Sequence, residues 1–281
     1  MTSASRGRGA RTAAAFALAL AGAVALAAVA GCSSSSSGAP AATGSASSAA
    51  ASSTSALTGT VTAFAAASLT GTFTQLGKDF EAAHPGVTVK FNFGGSDTLA
   101  ASIVSGAPAD VFAAASSTTM GTVTKAGDAT GTPTVFAKNQ LEIAVPPGDP
   151  KGIKTLSDLT KPGVQVALCA PTVPCGAAAV KAEAAGNLKI NPVTLETDVK
   201  SALTKVELGE VDAALVYQTD VAAAGGKVDG LEFTEAAKAI NTYPIAVLKD
   251  APNATAARAF VAFVLSAHGR AVLSAAGFQN P

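Results

Sequence analysis

The sequence predicts an α/β protein built on mostly parallel sheets, and three observations carry that prediction. Segments with a period of two and segments with a helical period alternate along residues 57–281. Several of the strand-like runs are apolar throughout, as expected of strands covered on both faces by helices. Four times a strand or loop ends where a helical pattern starts, the grammar of repeated strand–helix units.

Taken in order, the apolar run VTAFAAA (61–67) leads into Ser68. From there Leu69, Phe73, Leu76, Phe80 and Ala83 fall at helical spacing, and HPG (84–86) stops the helix. GVTVKFNF (86–93) sets Val87, Val89, Phe91 and Phe93 on one face of a strand, and TLAASIVSG (98–106) reads as a short helix ending at Gly106. LEIAVP, QVALCA and AALVY read as buried strands, and helices are expected over 176–185, 198–208 and 255–268. VPPGDPKG (145–152) reads as a surface loop. The length allows two lobes of roughly 100 residues or one larger domain.

The first 31 residues read as an export signal rather than as fold. Arg6, Arg8 and Arg11 precede TAAAFALALAGAVALAAVA, a short run of small apolar residues. The closing VAGC resembles a lipobox, which makes Cys32 the expected lipidated first residue of the mature chain. No two of these arginines are adjacent, so a twin-arginine signal is not supported. Residues 33–56 are rich in Ser and Ala and carry no charge; they read as a tether with a reach of roughly 25–30 Å. The whole chain has 19 basic and 19 acidic residues, and without the three signal arginines the balance is −3. A near-neutral, slightly acidic exported chain offers no electrostatic footprint for nucleic acid.

Catalytic and metal chemistry find little support. The sequence has no GxSxG, no P-loop and no GxGxxG, and no histidine or carboxylate lies within ten residues of Ser68 to activate its hydroxyl. Asp110, Asp212 and Asp220 read as caps and turn residues, while His84 and His268 occupy helix-end positions suited to capping or surface roles. Cys169 and Cys175 in CAPTVPC, in an exported chain, read first as a disulfide. Zinc takes about four ligands. With Cys32 lipidated only the two histidines remain, so no cation site is expected.

The remaining signal is a set of helix starts. Ser68 opens the first helix and Ser96, in GGSDTLA, opens the second. Pro174 stands at the first turn of the helix that begins TVPCG, where its missing N–H costs nothing. Thr197 and Asp198 offer caps, with Val199 in the first turn. First-turn N–H groups lack partners within their helix, and each start behaves as about half a positive charge, so four converging starts would supply about two units. Spacing alone leaves open whether they converge, and on the residues alone Tyr217 reads first as a core tyrosine.

FAAASL (64–69), GGSDTLAASIVSGAPADVFAAA (94–115), VPCG (173–176), GEVDAALVYQTD (209–220), YPIAV (243–247) and AAGF (275–278) occur in an order that resembles the molybdate-binding proteins of ABC transporters. The resemblance implies a two-lobed periplasmic-binding-protein-like fold of the class II type, each lobe a mostly parallel sheet flanked by helices. Residues 57–137 with 242–281 would form one lobe and 138–241 the other. The hinge would be crossed twice, near Lys138–Asn139 and near Asn241–Tyr243. It implies a monomeric, non-enzymatic receptor that captures molybdate, and also tungstate, for a membrane permease. Another tetrahedral oxyanion, sulfate or phosphate, is the alternative. Carried over residue by residue, Ser68 and Ser96 would each give a hydroxyl and a backbone N–H. Cys175 and Val199 would give backbone N–H groups, and Tyr217 its phenol. Two departures stand out. Cys175 replaces the alanine common in the family, and Asp97 stands where a small residue is common and is expected to point outward.

Overall fold

A computed structural model describes residues 56–281; the expected signal, Cys32 and residues 33–55 of the tether lie outside the described residues. The chain builds two five-stranded sheets. The first contains β1 (Gly59–Ala66), β2 (Val87–Gly94), β3 (Val111–Ala113), β4 (Ala129–Asn139) and β10 (Asn241–Leu248), in the order β2-β1-β3-β10-β4. The second contains β5 (Leu141–Val145), β6 (Val166–Cys169), β7 (Thr194–Glu196), β8 (Ala213–Tyr217) and β9 (Asp229–Leu231), in the order β7-β6-β8-β5-β9. Only Gln140 separates β4 from β5, and the chain returns to the first sheet at Asn241. The outgoing and returning strands are neighbours, with Asn241 in register with Asn139.

The α/β class is as expected, with one refinement to the mostly parallel sheets. β1 pairs in parallel with β2 and β3, and β6 with β7 and β8. β10 lies antiparallel between β3 and β4, and β5 lies antiparallel between β8 and β9. The reason is connectivity. A parallel neighbour needs a long crossover, whereas β5 and β10 are the strands by which the chain passes between sheets and so enter from the opposite end.

Helices α1 (Thr70–Ala83), α7 (Ala254–Val264) and α8 (Ala267–Ala275) supply apolar residues to one core of the first sheet, which also includes Val87 and Val89 of β2. α2 (Ser96–Val104) and α3 (Ser117–Ala126) supply the other, around Phe64 and Phe112. α4 (Pro174–Ala185), α5 (Val199–Glu207) and α6 (Gln218–Ala223) accompany the second sheet, whose core is largely Ala, Val, Leu and Ile. An aromatic cluster anchors the first core: Phe80 and Phe260 lie 5.4 Å apart, Phe73 and Phe136 5.7 Å, and Phe73 and Phe91 6.2 Å, in tilted or edge-on geometry.

The single helix expected over 255–268 is two. It breaks at Leu265–Ser266 with a 59° bend, and the Ser266 hydroxyl accepts from the Gly269 N–H at 3.1 Å to cap α8. His268 therefore sits in the first turn of α8 rather than at the end of a longer helix, and pairs with Asp79 of α1 at 2.8 Å. Among the described residues no single helix is long and apolar enough to cross a membrane.

Phe260 is fully buried and touches three other rings of the cluster. Phe260→Ala is expected to cost about 3–5 kcal/mol in urea unfolding. A loss below about 1 kcal/mol would mean that the aromatic cluster is not the anchor of this core.

Candidate functional site

The helix starts singled out in the sequence do meet. A small hollow with a cavity volume of about 10 Å³ is lined by Ser68, Ser96, Cys175, Val199 and Tyr217, together with Ala66, Ala67, Gly94, Gly95, Ala115, Val173, Pro174 and Asp198.

Each wall element comes from a strand that ends at the hollow. After β1 the chain makes a 3-10 turn, Ala67–Leu69, before α1 begins, so Ser68 sits within that turn and not at the helix start itself. The other starts fall where expected. Ser96 is the first residue of α2, Cys175 follows Pro174 in the first turn of α4, and Val199 is the first residue of α5. Asp198, and not Thr197, caps α5.

The capping pattern is the telling feature. Neither the 3-10 turn, α2 nor α4 has a side chain bonded to its first N–H groups. α5 does, but the Asp198 carboxylate accepts from the N–H and hydroxyl of Ser201, at 3.0 and 2.8 Å, and leaves the Val199 N–H free of it. First-turn N–H groups have no acceptor inside their own helix, and a buried donor without a partner is costly. Among the described residues, Asp198 is the only charged residue lining the hollow, and no Lys or Arg lines it.

The hydroxyls are arranged to the same end. Ser96 Oγ accepts from the Ala115 N–H at 3.0 Å, which leaves its own hydrogen for another acceptor. Ser68 Oγ lies 2.9 Å from the Tyr243 hydroxyl. Tyr243 also lies 3.4 Å from Asn139 Nδ2, which donates to Thr219 Oγ1 at 2.8 Å. Burial pushes the Tyr217 and Tyr243 hydroxyls up from the usual phenol range, so both remain protonated donors. The wall offers N–H and O–H groups around a small volume, and its one carboxylate is already engaged.

The Cys169–Cys175 disulfide expected from the sequence is present. It closes the loop between β6 and α4 and so fixes the backbone that carries the Cys175 N–H. Gly176 reinforces this: a Cβ there would collide with the carbonyl oxygens of Cys169 and Ala170. Asp97 does not line the hollow, but it is half-buried rather than fully outward, with Oδ1 enclosed near Gly95. Asp220 is fully buried, accepts from the Tyr217 N–H at 3.3 Å and pairs with Lys200 Nζ at 3.0 Å. Burial raises its carboxyl while Lys200 opposes the shift.

Sequence reasoning missed Tyr243, Asn139 and Asn241. YPIAV contains Tyr243, and both asparagines sit at the expected chain crossings, yet no local pattern marks a residue whose partners are far away in sequence.

A family model for bacterial extracellular solute-binding proteins matches residues 61–279. The chain belongs to that family. Among individual solute-binding proteins, it is 46% identical over 222 residues to the molybdate-binding protein ModA of Mycobacterium tuberculosis, covering 79% of this chain and 85% of that one. The substrate-binding domain of a putative molybdenum ABC transporter from Clostridium difficile matches with a TM-score of 0.60 at 26% identity, covering 79% of this chain and 99% of that one. The periplasmic molybdate-binding protein of Azotobacter vinelandii shares the fold, with a TM-score of 0.70 at 22% identity over 79% and 99% of the two chains. Family membership implies an exported protein that binds a solute.

Gly95 marks where the two halves of this solute-binding protein touch. A Cβ there would collide with the Thr197 carbonyl oxygen, which precedes α5 on the opposite wall. Gly95→Ala is expected to hold the walls apart, giving a larger radius of gyration by small-angle scattering than the unaltered protein. An unchanged radius would show that this contact does not limit closure.

Proposed function

We propose that this chain captures molybdate, and also tungstate, outside the cell and hands it to an ABC permease. The observation that carries the proposal is the convergence of buried helix-start N–H groups and hydroxyls on one small hollow without any basic side chain. Such a wall suits a small, fully deprotonated dianion. The starts of α2, α4 and α5 supply roughly one and a half units of positive charge, and every donor can meet an anion oxygen. Ser68 and Ser96 would give hydroxyl and N–H, Cys175 and Val199 N–H, and Tyr217 its hydroxyl. The names of the relatives support molybdate as the guest.

In this reading residues 57–137 and 242–281 form one lobe and 138–241 the other. They close about the two strand crossings and expel water, which strengthens each hydrogen bond. The chain acts as a monomer without catalysis, held to the membrane by lipid on Cys32. Sulfate has the same shape and charge, so cavity size must separate it from molybdate. Phosphate retains a proton at neutral pH and needs an acceptor, and the Asp198 carboxylate is already bonded to Ser201.

Titration calorimetry of the mature domain with molybdate, tungstate, sulfate and phosphate tests the proposal. Molybdate and tungstate are expected to bind tightest; tighter sulfate binding would overturn the assignment. Ser96→Ala should weaken molybdate by roughly 1–3 kcal/mol, the worth of a hydrogen bond to a charged group, and no loss would mean the pocket is misplaced.

The pH response has a definite sign. An ordinary phenol loses its proton near 10, and a tyrosinate in the wall would repel a dianion. Because burial raises both tyrosines, molybdate affinity should hold level from pH 7 to about 10. A fall centred near pH 9 would contradict their enclosure.

A further inference from the structure

Asn241 does not line the hollow, yet its side-chain nitrogen makes three contacts behind it. Nδ2 lies 2.9 Å from the Ala115 carbonyl oxygen, 3.2 Å from the Pro174 carbonyl oxygen and 2.6 Å from the Tyr217 hydroxyl. Asn241 is 5% exposed and Tyr217 1%, so water does not supply the missing partners. The two carbonyls can only accept, which fixes the nitrogen end of the amide toward them whatever else surrounds it. An amide nitrogen has no lone pair to offer. The nitrogen has two hydrogens for three neighbours, so one N–H is shared between the Tyr217 oxygen and a carbonyl. The Tyr217 hydroxyl, 2.6 Å away, cannot donate to the nitrogen, and its own hydrogen must point elsewhere. Two directions remain, the oxygen of neighbouring Tyr243 and the hollow. A bond to an anion is roughly twice as strong as a neutral one, so a dianion in the hollow takes the hydrogen.

We propose that Asn241 is a positioning residue: its side-chain N–H groups turn the Tyr217 hydroxyl outward, so that the phenol meets the guest as a donor and not as an acceptor. The same amide joins Ala115, at the end of β3 in the first sheet, to Pro174, at the start of α4 on the second. It thus couples the direction of one hydroxyl hydrogen to the meeting of the two walls. Without Asn241 the Tyr217 hydroxyl could rotate to donate to either exposed carbonyl, and its lone pairs would then face an oxyanion. This proposal rests on the oxyanion reading of the hollow.

A double-mutant cycle tests it, with molybdate affinity measured by calorimetry for the unaltered mature domain, Asn241→Ala, Tyr217→Phe and the pair. If the unaltered protein fails to bind molybdate, the oxyanion reading falls before any variant is compared. With binding established, each single variant is expected to weaken affinity about tenfold or more, and the double variant to match Tyr217→Phe within about twofold. Losses that multiply would show that Asn241 acts only by holding the walls, and would overturn the proposal. Should Asn241→Ala fail to fold, neutron diffraction from molybdate-bound crystals of the unaltered protein gives the same decision. Deuterium on the Tyr217 oxygen directed at the guest supports the assignment, and deuterium directed at Asn241, Tyr243 or a carbonyl refutes it.

Discussion

A buried N–H that finds no acceptor is among the costlier things a protein can carry, worth about 1–3 kcal/mol each, and this fold gathers several of them at one place. The starts of α2, α4 and α5 and the turn before α1 all end at the hollow, and three of the four lack a capping side chain. Ser116, Asn253 and Ser266 cap α3, α7 and α8.

The rest of the architecture keeps those donors in position. Parallel strand pairs bring several strand ends, and the helix starts that follow them, to the same edge of each sheet. The antiparallel strands β5 and β10 carry the chain between the sheets, so the two walls share neighbouring backbone at Asn139 and Asn241. The Cys169–Cys175 bond and the close approach of Gly176 to the β6 end restrain the loop before α4. A polar layer of Asn139, Asn241, Thr219, Tyr217 and Tyr243 fills the space behind the hollow. Its members bond to one another across the two sheets.

Neutral donors also account for a wall without Lys or Arg. A long basic side chain brings a full charge on a flexible stem and attracts many anions, whereas a backbone amide at a helix start is held rigidly by the helix behind it. Lys200, whose side chain could reach toward this region, is drawn instead to the buried carboxylate of Asp220. In the proposed reading, discrimination then rests on cavity size and on whether a guest can accept at every oxygen.

Local chemistry was legible from the residues. Helical spacing located α1, the alternation in GVTVKFNF located β2, and Pro174 and Asp198 marked the starts of α4 and α5, because each signal lies within one turn or one strand. Where a local signal is weak the expectation fails: Ser266 caps α8 and divides the helix expected over 255–268, and Ser68 falls in a 3-10 turn just before α1. The motifs that resemble the family supplied what spacing could not, namely that Ser68, Ser96, Cys175, Val199 and Tyr217 belong together. What only the tertiary structure decided is which groups stand behind them. Tyr243, Asn139 and Asn241 owe their importance to partners up to 175 positions away in sequence, and the direction of a hydroxyl hydrogen depends on neighbours that meet only after both sheets have formed.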